Sequence, residues 1–141
     1  MQKSQKGFTL VELVVVIVLL GILGVTALGK FQNLSVEAQS AANDGIASEL
    51  SAASNINLAA AKLNVGTAIA LTTDVVGRCA TLVDGGAGSL LVNALPTGAG
   101  GYTVTGDSNC GTAPGGTFTC TITENPDTAA TDGLASVVCT N

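Results

Sequence analysis

The chain contains 141 residues, of which 47% are apolar and 3% aromatic, and it carries a formal net charge of −5. This length suits one modest domain and an anchor, and the lack of any basic run disfavours electrostatic binding of nucleic acid. His is absent, which excludes the Ser-His-Asp and Cys-His catalytic arrangements, so the sequence predicts that the protein is not an enzyme.

The N-terminus combines a short polar leader with a long apolar segment. Residues 1–7 include Lys3 and Lys6, and residues 8–28 contain three polar side chains, those of Thr9, Glu12 and Thr26. A helix of that length spans about 31 Å, which matches a hydrocarbon core of about 30 Å. The apolar segment follows the basic leader and has no small-residue cleavage motif after it. The pattern therefore differs from a secretory signal and predicts a membrane-spanning helix with a cytoplasmic leader.

The junction of leader and apolar segment resembles a known family. Gly7-Phe8-Thr9-Leu10-Val11-Glu12-Leu13, followed by a Val/Ile/Leu run, resembles the short-leader (type IVa) form of the type IV pilin motif. The resemblance implies that a membrane prepilin peptidase cuts between Gly7 and Phe8 and methylates the new amine of Phe8. It also implies an inner-membrane precursor that the pilus assembly machinery builds into an extracellular homopolymer.

Glu12 is the acidic residue of the apolar segment. A carboxylate in such a segment costs about 2.5–3.5 kcal/mol on insertion scales, so we expect a partner for it. After the implied cleavage, the α-ammonium of Phe8 would lie four residues before Glu12, and the two charges would cost less together than apart. The family resemblance implies pairing between Glu12 of an incoming subunit and Phe8 of a docked one. Pairing within one chain is the competing interpretation.

Apolar residues continue at spacings of three and four as far as Leu63. This periodicity predicts one helix from about residue 9 to about residue 62, with a C-terminal cap at Gly66. The predicted organisation is a leader (1–7), a transmembrane and polymerisation helix (8–30), its amphipathic continuation (31–65) and a disulfide-bonded head (66–141).

Three glycines interrupt the apolar half of the predicted helix: Gly21, Gly24 and Gly29. By resemblance to pilins, this stretch loses helicity when it is packed in a filament, although relatives often carry Pro near the position of Gly29. Alternatively, the small residues permit close approach of helices in the membrane. Both interpretations stay open.

The head is predicted to contain a short helix and three strands. Ser89 caps a helix over 89–95 that Pro96 ends. Alternating segments at 102–105, 117–123 and 134–139, separated by turn residues at 112–116 and 125–127, predict a three-stranded antiparallel meander. Packed against the second half of the long helix, this meander gives an α+β fold.

The four cysteines predict two disulfides and an oxidising compartment. A chain reversal at 127–128 is expected to bring Cys120 and Cys139 to nearly facing positions. This favours Cys120–Cys139 together with Cys79–Cys110; the alternative considered is Cys110–Cys120 with Cys79–Cys139.

No C-x-x-C pair supports zinc. A calcium loop at Asp127 and Asp132 is less favoured than solvated turn carboxylates, because no EF-hand spacing occurs. The sequence therefore predicts neither a metal nor a cofactor.

The leading functional prediction is a structural one, a major pilin of a type IV pilus that serves adhesion, twitching motility or DNA uptake. A minor pilin or a secretion-system pseudopilin is the first alternative. The four cysteines favour a pilus subunit, because major pseudopilins commonly lack disulfides and bind calcium. A membrane-anchored binding module that never polymerises is the second alternative.

Overall fold

The computed structural model describes residues 7–71, 76–110, 115–125 and 130–140. The chain divides into two compact units, Met1–Ser35 and Val36–Asn141. Its elements are α1 (Leu10–Lys62), α2 (Arg78–Thr81), β1 (Gly101–Thr105), β2 (Thr117–Asn125) and β3 (Gly133–Val138). The leader up to residue 6, most of both predicted turns and the calcium candidate Asp127 lie outside the described residues.

Helix α1 confirms the predicted long helix, but its C-terminal cap differs from the prediction. Asn64, not Gly66, adopts the left-handed conformation, with φ of 55°. The amide of Val65 bonds to the carbonyl of Ala60 at 3.0 Å, and the amide of Asn64 to that of Ala61 at 3.1 Å. This is the Schellman arrangement, in which Asn tolerates the left-handed position because its short polar side chain interacts locally.

The three predicted strands form an antiparallel meander in the order β1-β2-β3, as predicted. Val104 of β1 faces Ile122 of β2, and Cys120 of β2 faces Ala135 of β3. Burial alternates along β2, so that Phe118, Cys120 and Ile122 face the core. The outward positions of β1 and β2 carry threonines, which suit a half-exposed pleated surface.

The helix predicted over 89–95 is wrong. These residues form bends, and their amide groups bond across the loop: Leu90 to the carbonyl of Leu82 at 2.8 Å, and Leu95 to that of Val83 at 3.0 Å. The Ser89 hydroxyl donates to the Leu82 carbonyl at 2.8 Å instead of capping a helix. Bonds to a neighbouring segment have replaced the i to i−4 bonds that the local sequence favours.

Serine side chains of α1 cover the free edge of β3. Backbone amides along this strand alternate between pointing toward β2 and pointing away from it. Helix hydroxyls accept hydrogen bonds from two of the outward amides of β3 and from one amide that precedes the strand, on the side where a fourth strand would otherwise pair. The bonds, donor first, are Thr131 to Ser40 (3.0 Å), Ser136 to Ser51 (3.0 Å) and Val138 to Ser54 (3.3 Å).

Asn43 strengthens the same contact at the start of β3. Its side-chain amide is buried and donates to the carbonyl of Thr131 at 2.9 Å. Gly133 comes so close that a Cβ there would overlap the backbone carbonyl of Asn43. The first residue of β3 therefore has to be glycine for the helix and strand to pack at this distance.

The residues that follow α1 are held by two further polar contacts. The side chain of Asn57 donates to the carbonyl of Ile69 at 2.9 Å and accepts from its amide at 2.7 Å. The Thr140 hydroxyl accepts from the Leu71 amide at 2.8 Å, and the Thr140 amide donates back to Leu71 at 3.1 Å. The segment is thus fixed both to the helix and to the C-terminal end of the sheet.

All four cysteines are disulfide-bonded, but the predicted pairing is wrong, as is the alternative. The bonds are Cys79–Cys120 and Cys110–Cys139. Cys120 faces Ala135, four residues before Cys139, and the Cys139 amide bonds to the carbonyl of Gly116 at 2.8 Å. Cys120 and Cys139 are therefore displaced from each other along the sheet: Cys120 is joined to Cys79 of α2, and Cys139 is joined to Cys110, which follows β1.

The core of the second unit is aliphatic and compact. Its fully buried side chains include Leu50, Leu71, Leu82, Ile122 and Val137, and the half-cystines are at most 3% exposed. Phe118 is the aromatic residue buried there. Each disulfide closes a loop of 41 or 29 residues, which corresponds to about 3.5–4 kcal/mol in the loop-closure model. Such stabilisation suits a small core with little aromatic surface.

Removing the Ser54 hydroxyl tests the contact between α1 and β3. We expect Ser54→Ala to destabilise the head by about 1–3 kcal/mol, because the part-buried Val138 amide would lose the fully buried Ser54 hydroxyl as its acceptor. Denaturant unfolding of the micelle-solubilised chain, followed by Tyr102 fluorescence, measures the change. Ser48→Ala is the matched control, since the Ser48 hydroxyl is exposed and bonds to Asp44 of its own helix. Equal stability of the two variants would contradict the role of the serines.

Candidate assembly site at the start of the N-terminal helix

The start of α1 is a capping box made by Thr9 and Glu12. The Thr9 hydroxyl accepts from the Glu12 amide at 3.3 Å, and Glu12 Oε2 accepts from the Thr9 amide at 3.2 Å. The Thr9 hydroxyl also donates to the same carboxylate oxygen at 3.0 Å. Each residue satisfies a backbone amide that the first helical turn leaves without an intrahelical partner.

This role of Thr9 was not predicted, although the sequence contains a signal for it. Thr9-Leu10-Val11-Glu12 has the T-x-x-E spacing of a capping box directly before an apolar run. Glu12 also lies in the first turn, where a carboxylate interacts favourably with the helix dipole. The expected partner of Glu12 was the amine of Phe8; in the single chain its observed partner is Thr9.

One oxygen of Glu12 keeps its capacity to accept. Both Thr9 donors reach Oε2, and within the residues that the structure describes no hydrogen bond reaches Oε1. The capping box therefore orients the carboxylate without saturating it. A cationic group of another molecule could bind Oε1 while the helix cap stays in place.

Gly7 and Phe8 lie before the first helical residue and are accessible. Phe8 is 89% exposed, and a Cβ built on Gly7 would meet no atom within 4 Å. The Gly7–Phe8 peptide bond is therefore outside the helix. Phe8 and Leu13 line one shallow apolar hollow, at the positions where a hydrophobic staple fixes the chain direction before a helix.

The apolar surface of the first unit is exposed on all sides. From Leu10 to Leu28 its large apolar side chains are between 43% and 78% exposed. The Thr26 hydroxyl donates to the carbonyl of Leu23 at 3.0 Å, which satisfies it within the helix. Among the described residues, α1 is the helix long and apolar enough to cross a membrane, with a mean hydropathy of 2.8 in its most apolar window.

The three glycines of this unit are helical. A Cβ at Gly21, Gly24 or Gly29 would meet no atom within 4 Å, so no contact within the described chain requires glycine at these positions. The loss of helicity expected of them concerns the packed filament and stays a prediction. No group of metal-ligating side chains occurs in the described parts of the chain.

Comparison with known proteins gives one finding. Residues 2–28 match the family model described as the prokaryotic N-terminal methylation motif. No curated protein and no solved structure gives a match. The matched segment contains Gly7, Phe8, Thr9 and Glu12 and ends with the apolar surface described above. The chain thus carries the methylation motif typical of type IV pilin-like prepilins, and its long apolar N-terminal helix fits that class.

Proposed function

We propose that the protein is a structural subunit of a type IV pilus-like filament. A prepilin peptidase cuts the Gly7–Phe8 bond and methylates the amine of Phe8, and the pilus machinery assembles the subunits from the inner membrane into an extracellular homopolymer. The methylation motif at residues 2–28, placed on a helix with an exposed apolar surface, is the observation that carries this proposal.

The exposed apolar surface supports a polymer as well as a membrane anchor. Lipid and other apolar helices offer similar surroundings to these side chains, so leaving the membrane is feasible only if other copies cover them. Each large aliphatic side chain exposed to water would cost about 1.5–3 kcal/mol. A subunit extracted into a bundle of identical helices avoids that cost.

Glu12 supplies the specificity that apolar contacts lack. Contacts between apolar side chains differ little from one axial register to another. A carboxylate in an apolar bundle favours the few registers that place a cation beside it. The accessible Oε1 of Glu12 suits the α-ammonium of Phe8 on a neighbouring subunit. This pairing sets the axial position of the incoming subunit.

A second surface on α1 is suited to contacts between copies. Within the second unit, the helix face opposite the head is exposed and carries no charge. Small and apolar residues occupy it at spacings of three and four. This outer stripe comprises Ala38, Ala41, Gly45, Ser48, Ala52, Ile56, Ala59 and Leu63. Its small side chains permit close approach of a second helix.

We favour a major pilin that serves adhesion, motility or DNA uptake. Two buried disulfides suit a subunit exposed to an oxidising exterior, which favours this assignment over a secretion-system pseudopilin. A minor pilin would share every feature of the start of the helix and differ in abundance.

Mass spectrometry of filaments sheared from producing cells tests the proposal. We expect abundant protein that begins at Phe8 and carries one methyl group on its amine. Trace amounts in the filaments would identify a minor subunit. Recovery from membranes alone would contradict the polymer and leave an anchored, unassembled protein.

Replacing Glu12 by Gln separates charge pairing from helix capping. Gln at this position preserves the capping box, so the helix start and membrane insertion should be unchanged. Without the negative charge, the amine of Phe8 on the neighbour stays uncompensated, and we expect a reduction of surface filaments by at least about tenfold. Quantitative immunoblotting of sheared and membrane fractions measures it.

Thr9→Val provides the matched control, because it removes the capping hydroxyl and leaves the carboxylate in place. We expect a smaller loss of filaments from Thr9→Val than from Glu12→Gln. The opposite order would show that Glu12 acts in assembly through the helix cap and not through its charge.

A charge on the outer stripe should also block assembly. We expect Ala52→Glu to reduce filaments severely while the head stays folded, since Ala52 is exposed and the carboxylate would be buried between helices. Asn55→Glu is the control, because Asn55 is exposed on the row that already carries Asp44 and Lys62. Normal filaments from Ala52→Glu would exclude the outer stripe from the interface.

A further inference from the structure

Strand β1 is an edge strand, and one of its residues keeps both backbone groups unpaired. The backbone amide and carbonyl groups of Thr103 and Thr105 point toward β2. Those of the residues between and beside them point away from it. The Tyr102 amide donates to the Pro96 carbonyl at 2.7 Å, and the Gly106 carbonyl accepts from the Cys79 amide at 3.3 Å. Between these two bonds, the amide and carbonyl of Val104 make no hydrogen bond to any described residue.

A cavity of about 290 Å³ opens directly on this part of the edge. Val104 and Tyr102 form one side of it, and the other walls are largely apolar, formed by Ala80, Val83, Ala94 and Leu95. Val104 is 9% exposed, so its unpaired groups are reached mainly through the cavity. The amide and carbonyl of one residue are the complement of the carbonyl and amide of a single residue in an extended peptide.

The walls of the cavity are held in place without a ligand. Gly85 has φ of +70°, and a Cβ there would lie 2.7 Å from the amide nitrogen of Ala94. The Leu95 amide bonds to the Val83 carbonyl at 3.0 Å, which ties the two sides of the loop together. These contacts fix the relative positions of the loop segments that form the cavity walls.

Asp84 gives the cavity its charge. It is the charged residue among the lining side chains, and its Oδ1 accepts from the Gly86 amide at 2.8 Å. In the described part of the chain, its other oxygen has no hydrogen-bond donor. A cationic side chain beside an apolar one matches this arrangement of carboxylate and apolar walls.

We propose that this cavity binds an extended peptide with an apolar residue next to Lys or Arg. The peptide backbone pairs with Val104 as a short added strand, the apolar side chain fills the cavity, and the cation lies against Asp84. This is backbone pairing at the short part of the β1 edge that Pro96 and Cys79 leave open. The site lies within the second unit and does not depend on filament assembly.

NMR spectroscopy of the ¹⁵N-labelled full chain in detergent micelles tests this site. The probe is the capped peptide acetyl-Thr-Val-Lys-Thr-amide, compared with acetyl-Thr-Val-Glu-Thr-amide. We expect a saturable downfield shift of the Val104 amide proton, because this group gains a hydrogen bond. The Glu peptide should bind about fivefold more weakly, and Asp84→Asn should remove that difference.

Two matched variants locate the binding. Ala80→Leu, which fills the cavity from an exposed position on α2, should abolish the shift. Ala70→Leu adds the same side chain at an exposed alanine that lines a different hollow, and it should bind like the unmodified chain.

The proposal would be overturned if the Lys peptide did not shift the Val104 amide, if Ala80→Leu bound the peptide unchanged, or if the Lys and Glu peptides bound with equal affinity. A shift of the Val104 amide that depends on protein concentration without peptide would also overturn it, and would identify a second copy of the chain as the occupant.

Discussion

The head depends on the covering of one sheet edge by a helix. A three-stranded sheet leaves unpaired backbone groups along both outer strands, and such groups either stay in water or need partners. On β3 these partners are the hydroxyls of Ser40, Ser51 and Ser54. Short side chains are required, because the helix has to lie close enough for an oxygen one bond from Cβ to reach the strand. The same closeness explains Gly133 and buries Leu50 against the core. The same short distance between α1 and β3 therefore serves both the hydrogen bonds to the strand and the apolar packing of the core.

The polar side chains of the first unit meet the same requirement within their own helix. In a lipid or a bundle of helices no water can bond to polar groups, so each must be satisfied within the helix. The Thr26 hydroxyl meets this condition through the carbonyl of Leu23, and the Thr9 hydroxyl and amide meet it through Glu12. Among the described residues, no cationic group bonds to the carboxylate of Glu12. A carboxylate that is held in place by the helix cap and lacks a cation is suited to recognise a cationic group.

Periodic parts of the chain were predictable from sequence, and irregular parts were not. Spacings of three and four identified α1, and alternation identified the strands, because burial on one face imposes those periods. In the observed register Cys120 lies opposite Ala135, so Cys139 is four residues beyond the facing position that was expected for it. The partners of Cys120 and Cys139 are set by the positions of the short helix α2, which carries Cys79, and of the loop that carries Cys110, and no periodic signal in the sequence describes those positions. The helix expected over 89–95 failed for a related reason, since amide bonds to Leu82 and Val83 outweighed local propensity.

The two edges of the sheet indicate how copies of this head can and cannot associate. An exposed edge strand invites pairing with another chain, and proteins that assemble in an ordered way suppress such pairing. Here α1 covers β3, while Pro96 and Cys79 occupy most of the β1 edge and leave Val104 at the back of a cavity. These contacts disfavour pairing of one sheet with another through either edge. The proposed polymer is consistent with this, because it joins subunits through the exposed surfaces of α1 and needs no contact between sheets.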